Sequence, residues 1–522
     1  MSEAMKLSVD GATVEVVDDT ATLLDVLRDV AGVTSVKDGC SPQGQCGCCT
    51  VLVDGQPRVS CVTPVRRVRD REITTVDGLA DDVRSAWGDA FAATGGSQCG
   101  FCTPGIICRF EGLRAKATDH DDRDAAGKAL QAHLCRCTGW QPVVDAWVAF
   151  GAPAPAGGPG AVARAALEGG VAQAIGPDVA LGRGGFADDT APADALVAVP
   201  DGDGWVVAET RAEALRLAGK VQGRRTTADF EPPIELPAGD WVRTLRTSWV
   251  EPGYLETDAS WCAPGGEPTS PLANGGAFGA KETSEVGAVA RRLANEHGRP
   301  VRVLYSREDA VRRGPKRPPI AAGIRADGTG IIRVARTTGI AEAIRSVAPG
   351  LVVEEVDVAG PPTSAAIRGA GWVEALVVRA SLDPAPSWIT APGGGAALAT
   401  IVDDGAIDVR VRAGDPLDET VLRSYCTGAA HMGLSWVTSE SLGVDQHGEI
   451  HDLTIRSFGI LRAIDTPRID IVVEETPGEP VAVSDAVFAA VAAAAWRAAA
   501  FAGVWPVGVA LLDRDAHPSS VG

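Results

Sequence analysis

Ten of the twelve cysteines fall between residues 40 and 137, and their spacing limits what this chain can fold into more than any other feature. Cys40, Cys46 and Cys49 lie in one glycine-rich stretch, with Cys61 alone a little further on. Cys99 and Cys102 form a second close pair, and Cys135 and Cys137 a third. Met1 to Leu7 has no basic segment and no long apolar run, so no signal peptide is expected. Without a secretory route a disulfide framework is disfavoured, and ligation of a metal or cluster is the better reading of so many grouped thiols.

The surroundings of the first group are readable. Residues 5–17 alternate apolar and polar about Asp10-Gly11, which predicts a hairpin. Leu23, Leu24, Leu27 and Val30 share one face of a helix over 20–31. The cysteine loop from Gly39 to Cys49 follows, then a second hairpin, Thr50–Val53 and Arg58–Cys61, turning at Asp54-Gly55. This order fits a small β-grasp unit ending near residue 76. In that setting Cys40, Cys46, Cys49 and Cys61 read as four thiolates around a [2Fe–2S] cluster, because glycines allow positive φ and turn N–H groups toward sulfur. The plant-type spacing is C-x4-C-x2-C with a distant fourth cysteine. Here the first gap is five residues. Cys48 competes as a ligand; Cys49 is preferred because it keeps the two-residue gap from Cys46. A structural zinc site is the alternative.

From about 79 to 150 the pattern is helical, and Pro104 suits the first turn of a helix beginning after Cys102. By spacing alone, Cys99-x2-Cys102 with Cys135-x-Cys137 fits zinc as well as a second cluster. Cys108 reads as a core thiol. A Pro/Gly/Ala-rich linker is expected over 151–175, and 176–522 alternates strand-like and helical runs, such as Gly204–Ala208 then Arg211–Ala218. That is a mixed α/β region of more than one lobe. The Ala-rich run near Ala486–Val504 carries Arg497 and reads as a packed helix, so no membrane span is expected. The net charge of −20 argues against nucleic acid as a partner.

The residues around the cysteines say more than their spacing. Cys46-Gly47-Cys48-Cys49-Thr50-Val51, Gln98-Cys99-Gly100-Phe101-Cys102-Thr103-Pro104-Gly105 and Leu134-Cys135-Arg136-Cys137-Thr138-Gly139 make residues 1–150 resemble the two-domain iron–sulfur module of the xanthine dehydrogenase/aldehyde oxidase family of molybdenum hydroxylases. Further islands resemble that family's molybdenum-binding part: Val250–Thr257, Gly275-Gly276-Ala277-Phe278-Gly279-Ala280-Lys281-Glu282, Ile367–Gly371, Arg423–Trp436 and Gly478-Glu479-Pro480. The region departs from the family by being much shorter, with Val250 where a glutamine stands near the metal and Ala370 in place of a phenylalanine.

The resemblance implies an α+β multidomain chain: a ferredoxin-like β-grasp domain over 1–76, a helical [2Fe–2S] domain over 77–150, the linker, and a condensed molybdopterin-binding domain over 176–522. It implies two [2Fe–2S] clusters and a molybdenum–molybdopterin cofactor, the second cluster on Cys99, Cys102, Cys135 and Cys137 lying next to the pterin. Gln98, Gly275, Gly276, Phe278 and Gly279 would approach that cofactor, Glu479 would serve as the base and Arg368 would contact the substrate, a small heterocycle or aldehyde. No segment resembles the family's FAD domain, so no FAD is expected in this chain, and electrons would leave to a separate flavoprotein or ferredoxin-like acceptor. A cytoplasmic oligomer is implied. The alternative is an electron-transfer subunit whose C-terminal region is a docking scaffold without molybdenum.

Overall fold

The computed structural model describes residues 5–116, 118–153, 158–220, 226, 228–272 and 274–509. The N-terminal sheet has five strands in the order Ala12–Val16, Met5–Val9, Glu72–Thr74, Thr50–Val53, Gln56–Val59. Met5–Val9 pairs antiparallel with Ala12–Val16 and parallel with Glu72–Thr74. Leu7, Val9, Val51, Val53 and Ile73 face inward and pack with Leu23, Leu24 and Leu27 of the crossing helix. That helix is capped at Thr22, whose side chain accepts from the Asp25 N–H. It widens into a π turn over Val26–Val30, and Val30, expected on the buried face, is exposed instead. An i→i+5 turn rotates the residues that follow it off the 3.6-residue face. The second hairpin is one step shorter than expected: Val51 opposes Arg58, and Ser60–Val62 forms a 3-10 turn that takes Cys61 out of the strand.

Helices Asp81–Thr94, Thr103–Arg114, Arg123–Ala129 and Gln141–Val148 follow. Trp87 stacks on Phe110 and Trp147 at their centre, and its indole N–H donates to Glu111. Gly105 brings the Thr103–Arg114 helix directly onto the carbonyls of Gly47 and Cys48, an approach a side chain would block. The Leu134 N–H donates to the Cys46 carbonyl at 2.9 Å, so the two cysteine-bearing segments are tied together.

The stretch expected to be a linker is helical over Pro159–Gly169. Ala161 and Ala165 pack on Val421 and Tyr425. Three four-stranded sheets follow. One orders Gly204–Ala208, Leu196–Asp201, Val301–Leu304 and Ala259–Cys262; the next Leu351–Val356, Gly330–Ala335, Ile320–Ile324 and Arg243–Arg246; the last Ile389–Thr390, Ala396–Ile401, Ile407–Arg412 and Ile469–Val473. The long helices Glu419–Thr438 and Ser484–Ala498 pack together and bury their alanines and glycines against the last sheet. Among the described residues no helix is long and apolar enough to cross a membrane.

The N-terminal 150 residues are seated on this body by buried charge. Arg136, between two of the grouped cysteines, donates from both terminal nitrogens to Glu440 at 2.6 and 2.7 Å and from Nε to the Pro252 carbonyl. Arg211 pairs with Asp25 and Asp38, Lys37 with Asp189, and Arg302 with Asp29 and Asp188. A buried pair contributes little net stability, but removing one partner strands the other charge. Glu440→Ala is therefore expected to cost about 3–5 kcal/mol, read as a lower midpoint of urea unfolding, with Glu440→Asp less affected.

Candidate functional site

The first cysteine loop curls so that the Cys40 sulfur lies against those of Cys46 and Cys61, and the Cys61 sulfur against that of Cys49. Backbone N–H groups of Gln43 and Gln45 donate to the Cys40 sulfur at 3.2 and 3.4 Å, and the Cys61 N–H donates to Cys49 at 3.4 Å. Such donors favour thiolate sulfur. All four cysteines are buried. Cys48 is buried beside Cys46, and Gly39 packs against both sulfurs. Cys48 is not against Cys61, where Cys49 sits.

In the second group Cys102 lies against Cys135, and Cys137 is 3.6 Å from Cys99, sulfur to sulfur. Thr138 approaches the Cys135 sulfur at 3.1 Å. His133 is wedged beside Gly47, between the two groups, with its Nδ1 unpartnered. Burial pushes its pKa down to about 3, so the imidazole is neutral there. Cys108 is a buried core thiol of the neighbouring helix. The donor sets, buried N–H···S bonds and tight glycine approaches suit two cysteine-held clusters.

The glycine loop lies on the second group. Gly276 has φ +81°, and a side-chain carbon there would stand 3.3 Å from the Cys99 sulfur and 3.5 Å from that of Cys137. Glu256 and Lys281 pair at 2.7 Å beside it. Burial raises the Glu256 pKa to about 7 against the pull of Lys281. On the other side of Gly276 opens a cavity of about 350 Å³, lined by Gln98, Cys99, Gly276, Phe278, Gly279 and Arg368 among others. Gln98 is buried, and its amide donates to the Cys137 carbonyl and to Ser424, both at 3.0 Å. Gly275 packs on Gln173, itself in the cavity wall. Arg368 lies over the Phe278 ring at 5.0 Å, pairs with Asp485 at 3.0 Å and donates to Ser484. Trp372 and Pro392-Gly393 complete the wall. A backbone cradle of this size against Cys99 suits a pterin-type cofactor.

Glu479 is not in the cavity. It lies exposed on the loop before the Ser484–Ala498 helix, where the 478–480 turn directs it to solvent. The expected base therefore stands on a loop outside the cavity lining. Glu168, among the residues of the cavity wall, has a carboxylate without exposed surface, which accepts from Arg164 and from the N–H groups of Val483 and Ser484. Burial raises its pKa. The sequence held a signal for it: Pro159 and Gly170 bracket a helix on which Arg164 and Glu168 stand four apart. Glu168 and Gln173 escape a reading that treats 151–175 as linker.

Two family models match the chain: a 2Fe-2S iron–sulfur cluster binding domain over residues 6–73 and a [2Fe-2S] binding domain over 75–148. These define an iron–sulfur protein with two cluster-binding domains. The chain is 45% identical over 139 residues to an aldehyde oxidoreductase of Megalodesulfovibrio gigas, covering 25% of this chain and 15% of that protein. It is 38% identical over 138 residues to the nicotinate dehydrogenase small FeS subunit of Eubacterium barkeri, covering 26% of this chain and 87% of the subunit. The solved aldehyde oxidoreductase of Desulfovibrio desulfuricans shares the fold, with a TM-score of 0.68 at 14% identity over 94% of this chain and 97% of that one. The chain belongs to the xanthine dehydrogenase/aldehyde oxidase family of molybdenum hydroxylases.

His431, buried on the Glu419–Thr438 helix, packs against Gly139 and meets the Leu461 carbonyl at 3.2 Å. Burial, with Arg136 nearby, lowers its pKa from 6.5 to about 3. The unfolded state then binds the proton first as pH falls, so stability is lost between pH 6.5 and about 3. His431→Gln is expected to flatten that part of the stability–pH curve, measured by urea unfolding at pH 7 and pH 5.

Proposed function

We propose that the chain is a molybdenum-dependent oxidoreductase that hydroxylates a small heterocycle or aldehyde and passes the electrons outward through two [2Fe–2S] clusters to a separate acceptor. The reading is carried by one observation: the 350 Å³ cavity and the second cysteine group share Gly276 as their common wall. Cys40, Cys46, Cys49 and Cys61 would hold the outer cluster, and Cys99, Cys102, Cys135 and Cys137 the inner one. Gln98, Gly276, Phe278 and Gly279 would hold molybdopterin, with Gly275 keeping the loop close to Gln173. Bound there, molybdenum supplies two-electron oxidation with oxygen from water, and the clusters supply one-electron steps.

This chain's own groups do the rest. Arg368, buried and already paired, presents a fixed cation to a carbonyl or carboxylate of the substrate. Glu168, its pKa raised by burial, is the carboxylate we propose as proton acceptor, lying behind the cavity wall and held by Arg164 and the Val483 and Ser484 N–H groups. Trp372 and Phe278 restrict water and offer an apolar wall. The second reading, an electron-transfer subunit with a scaffold in place of a molybdenum domain, is favoured by the exposure of Glu479.

Metal analysis of the anaerobically purified chain separates the two. The hydroxylase reading expects about four irons and a stoichiometric molybdenum; iron without molybdenum, in cells that make the cofactor, leaves the scaffold. With a dye acceptor, Glu168→Gln is expected to lower kcat by roughly a hundredfold, with molybdenum still bound. Glu479→Gln should stay near the wild-type rate; a loss comparable to Glu168→Gln would return the base to residue 479.

A further inference from the structure

The chain is strongly acidic, yet the segment that carries Cys61 is rich in arginine: Arg58, Arg66, Arg67, Arg69 and Arg71, against Asp70 and Glu72. All five arginines are exposed. Arg71 is tied to Asp54 at 2.9 Å. Among the described residues Arg58, Arg66, Arg67 and Arg69 take part in no ion pair. The cause is local. Val65 and Val68 of the 3-10 turn point into the core, which leaves Arg66 and Arg67 outward, and the alternation of the Gln56–Val59 strand does the same for Arg58.

This basic segment brackets Cys61 of the outermost cysteine group. Val62 follows Cys61, is 44% exposed, and lies over Gly44 of the cysteine loop, where even a single added carbon would meet it at 3.0 Å. The other flank of that loop is covered: Gln43 and Gln45 bond with Leu453, Ile455 and Arg456. Arg456, half-buried, donates to the Gln45 carbonyl at 2.9 Å and adds a cation at the margin. An apolar contact over the cysteine loop with several uncommitted arginines beside it is what an interface with an acidic partner needs. The rest of the molecule repels such a partner, so a net charge of −20 makes this face the attractive approach.

We infer that the Val62 face, with Arg58, Arg66, Arg67 and Arg69, is the docking surface for an acidic one-electron carrier protein, which exchanges electrons there with the outer cluster. This rests on the assignment of Cys40, Cys46, Cys49 and Cys61 as that cluster's ligands. Steering of this kind raises association rates by roughly ten- to a thousandfold and weakens with salt.

The test mixes the oxidised full-length chain with an acidic flavodoxin in its hydroquinone form, anaerobically, in a stopped-flow instrument. One electron leaves the anionic FMN hydroquinone, which becomes the neutral semiquinone, and enters the outer cluster; the semiquinone absorbance reports the rate. Wild type is expected to react faster at low than at high ionic strength. A variant with Arg66→Glu, Arg67→Glu and Arg69→Glu should react at least tenfold more slowly at low salt, with its salt dependence reversed. Iron content and the uptake of electrons from dithionite at equilibrium should match wild type, showing the cluster intact. A control with Arg291→Glu, Arg292→Glu and Arg299→Glu makes the same change in net charge on a remote face and should react as wild type. An unchanged rate in the first variant, or an equal loss in the control, overturns the docking surface. A wild-type chain that holds no iron overturns the cluster assignment, and docking with it.

Discussion

Arg136 stands between Cys135 and Cys137, and its guanidinium is closed on both oxygens of Glu440, far along the chain and fully buried. The charge cannot leave without unseating the loop that carries both cysteines. With the Pro252 carbonyl accepting from Nε, the contact fixes the inner cysteine group on the C-terminal body in position and in rotation. Much else depends on that seat. Gly139 and Gly428 bring the Glu419–Thr438 helix within backbone contact of the cysteine segment, and Gly276 reaches the Cys99 and Cys137 sulfurs because that segment does not move away.

The site is built as a series of thin partitions. A hydrogen bond from Leu134 to Cys46 links the two cysteine groups, and the inner group borders the cavity through Cys99 and the Gly276 that lies on it. Short partitions suit electron passage, and the cost is that few side chains fit at these positions. The cavity lining combines the polar residues Arg368, Ser484 and Asp485 with the aromatic rings of Phe278 and Trp372, and Arg368 lies over the Phe278 ring. Such a lining accommodates the small planar substrate proposed for the chain.

Local order carried the reading of the N-terminal part. Alternation around Asp10-Gly11 and Asp54-Gly55 is a short-range pattern, and both hairpins form there. The exception is also local: Val30 turns outward because the helix widens by a residue per turn, a change that periodicity does not carry. In the C-terminal region the helices at Val286–His297 and Ser484–Ala498 follow from their apolar spacing, whereas the helix at Pro159–Gly169 was hidden by its small, Gly- and Pro-flanked composition.

By itself the sequence determined the grouped cysteines, the glycine loops that let a chain wrap around sulfur, the small β unit and the arginine-rich run around Cys61. Each depends on residues a few positions apart, whose geometry the backbone dictates. Only the tertiary structure decided which distant segments meet. It set Gly276 against Cys99 and Glu440 on Arg136, brought Glu168 into the cavity wall, and turned Glu479 to solvent. Such contacts join residues hundreds of positions apart, and they are selected by close packing and by the cost of burying an unpaired charge, which no local pattern records.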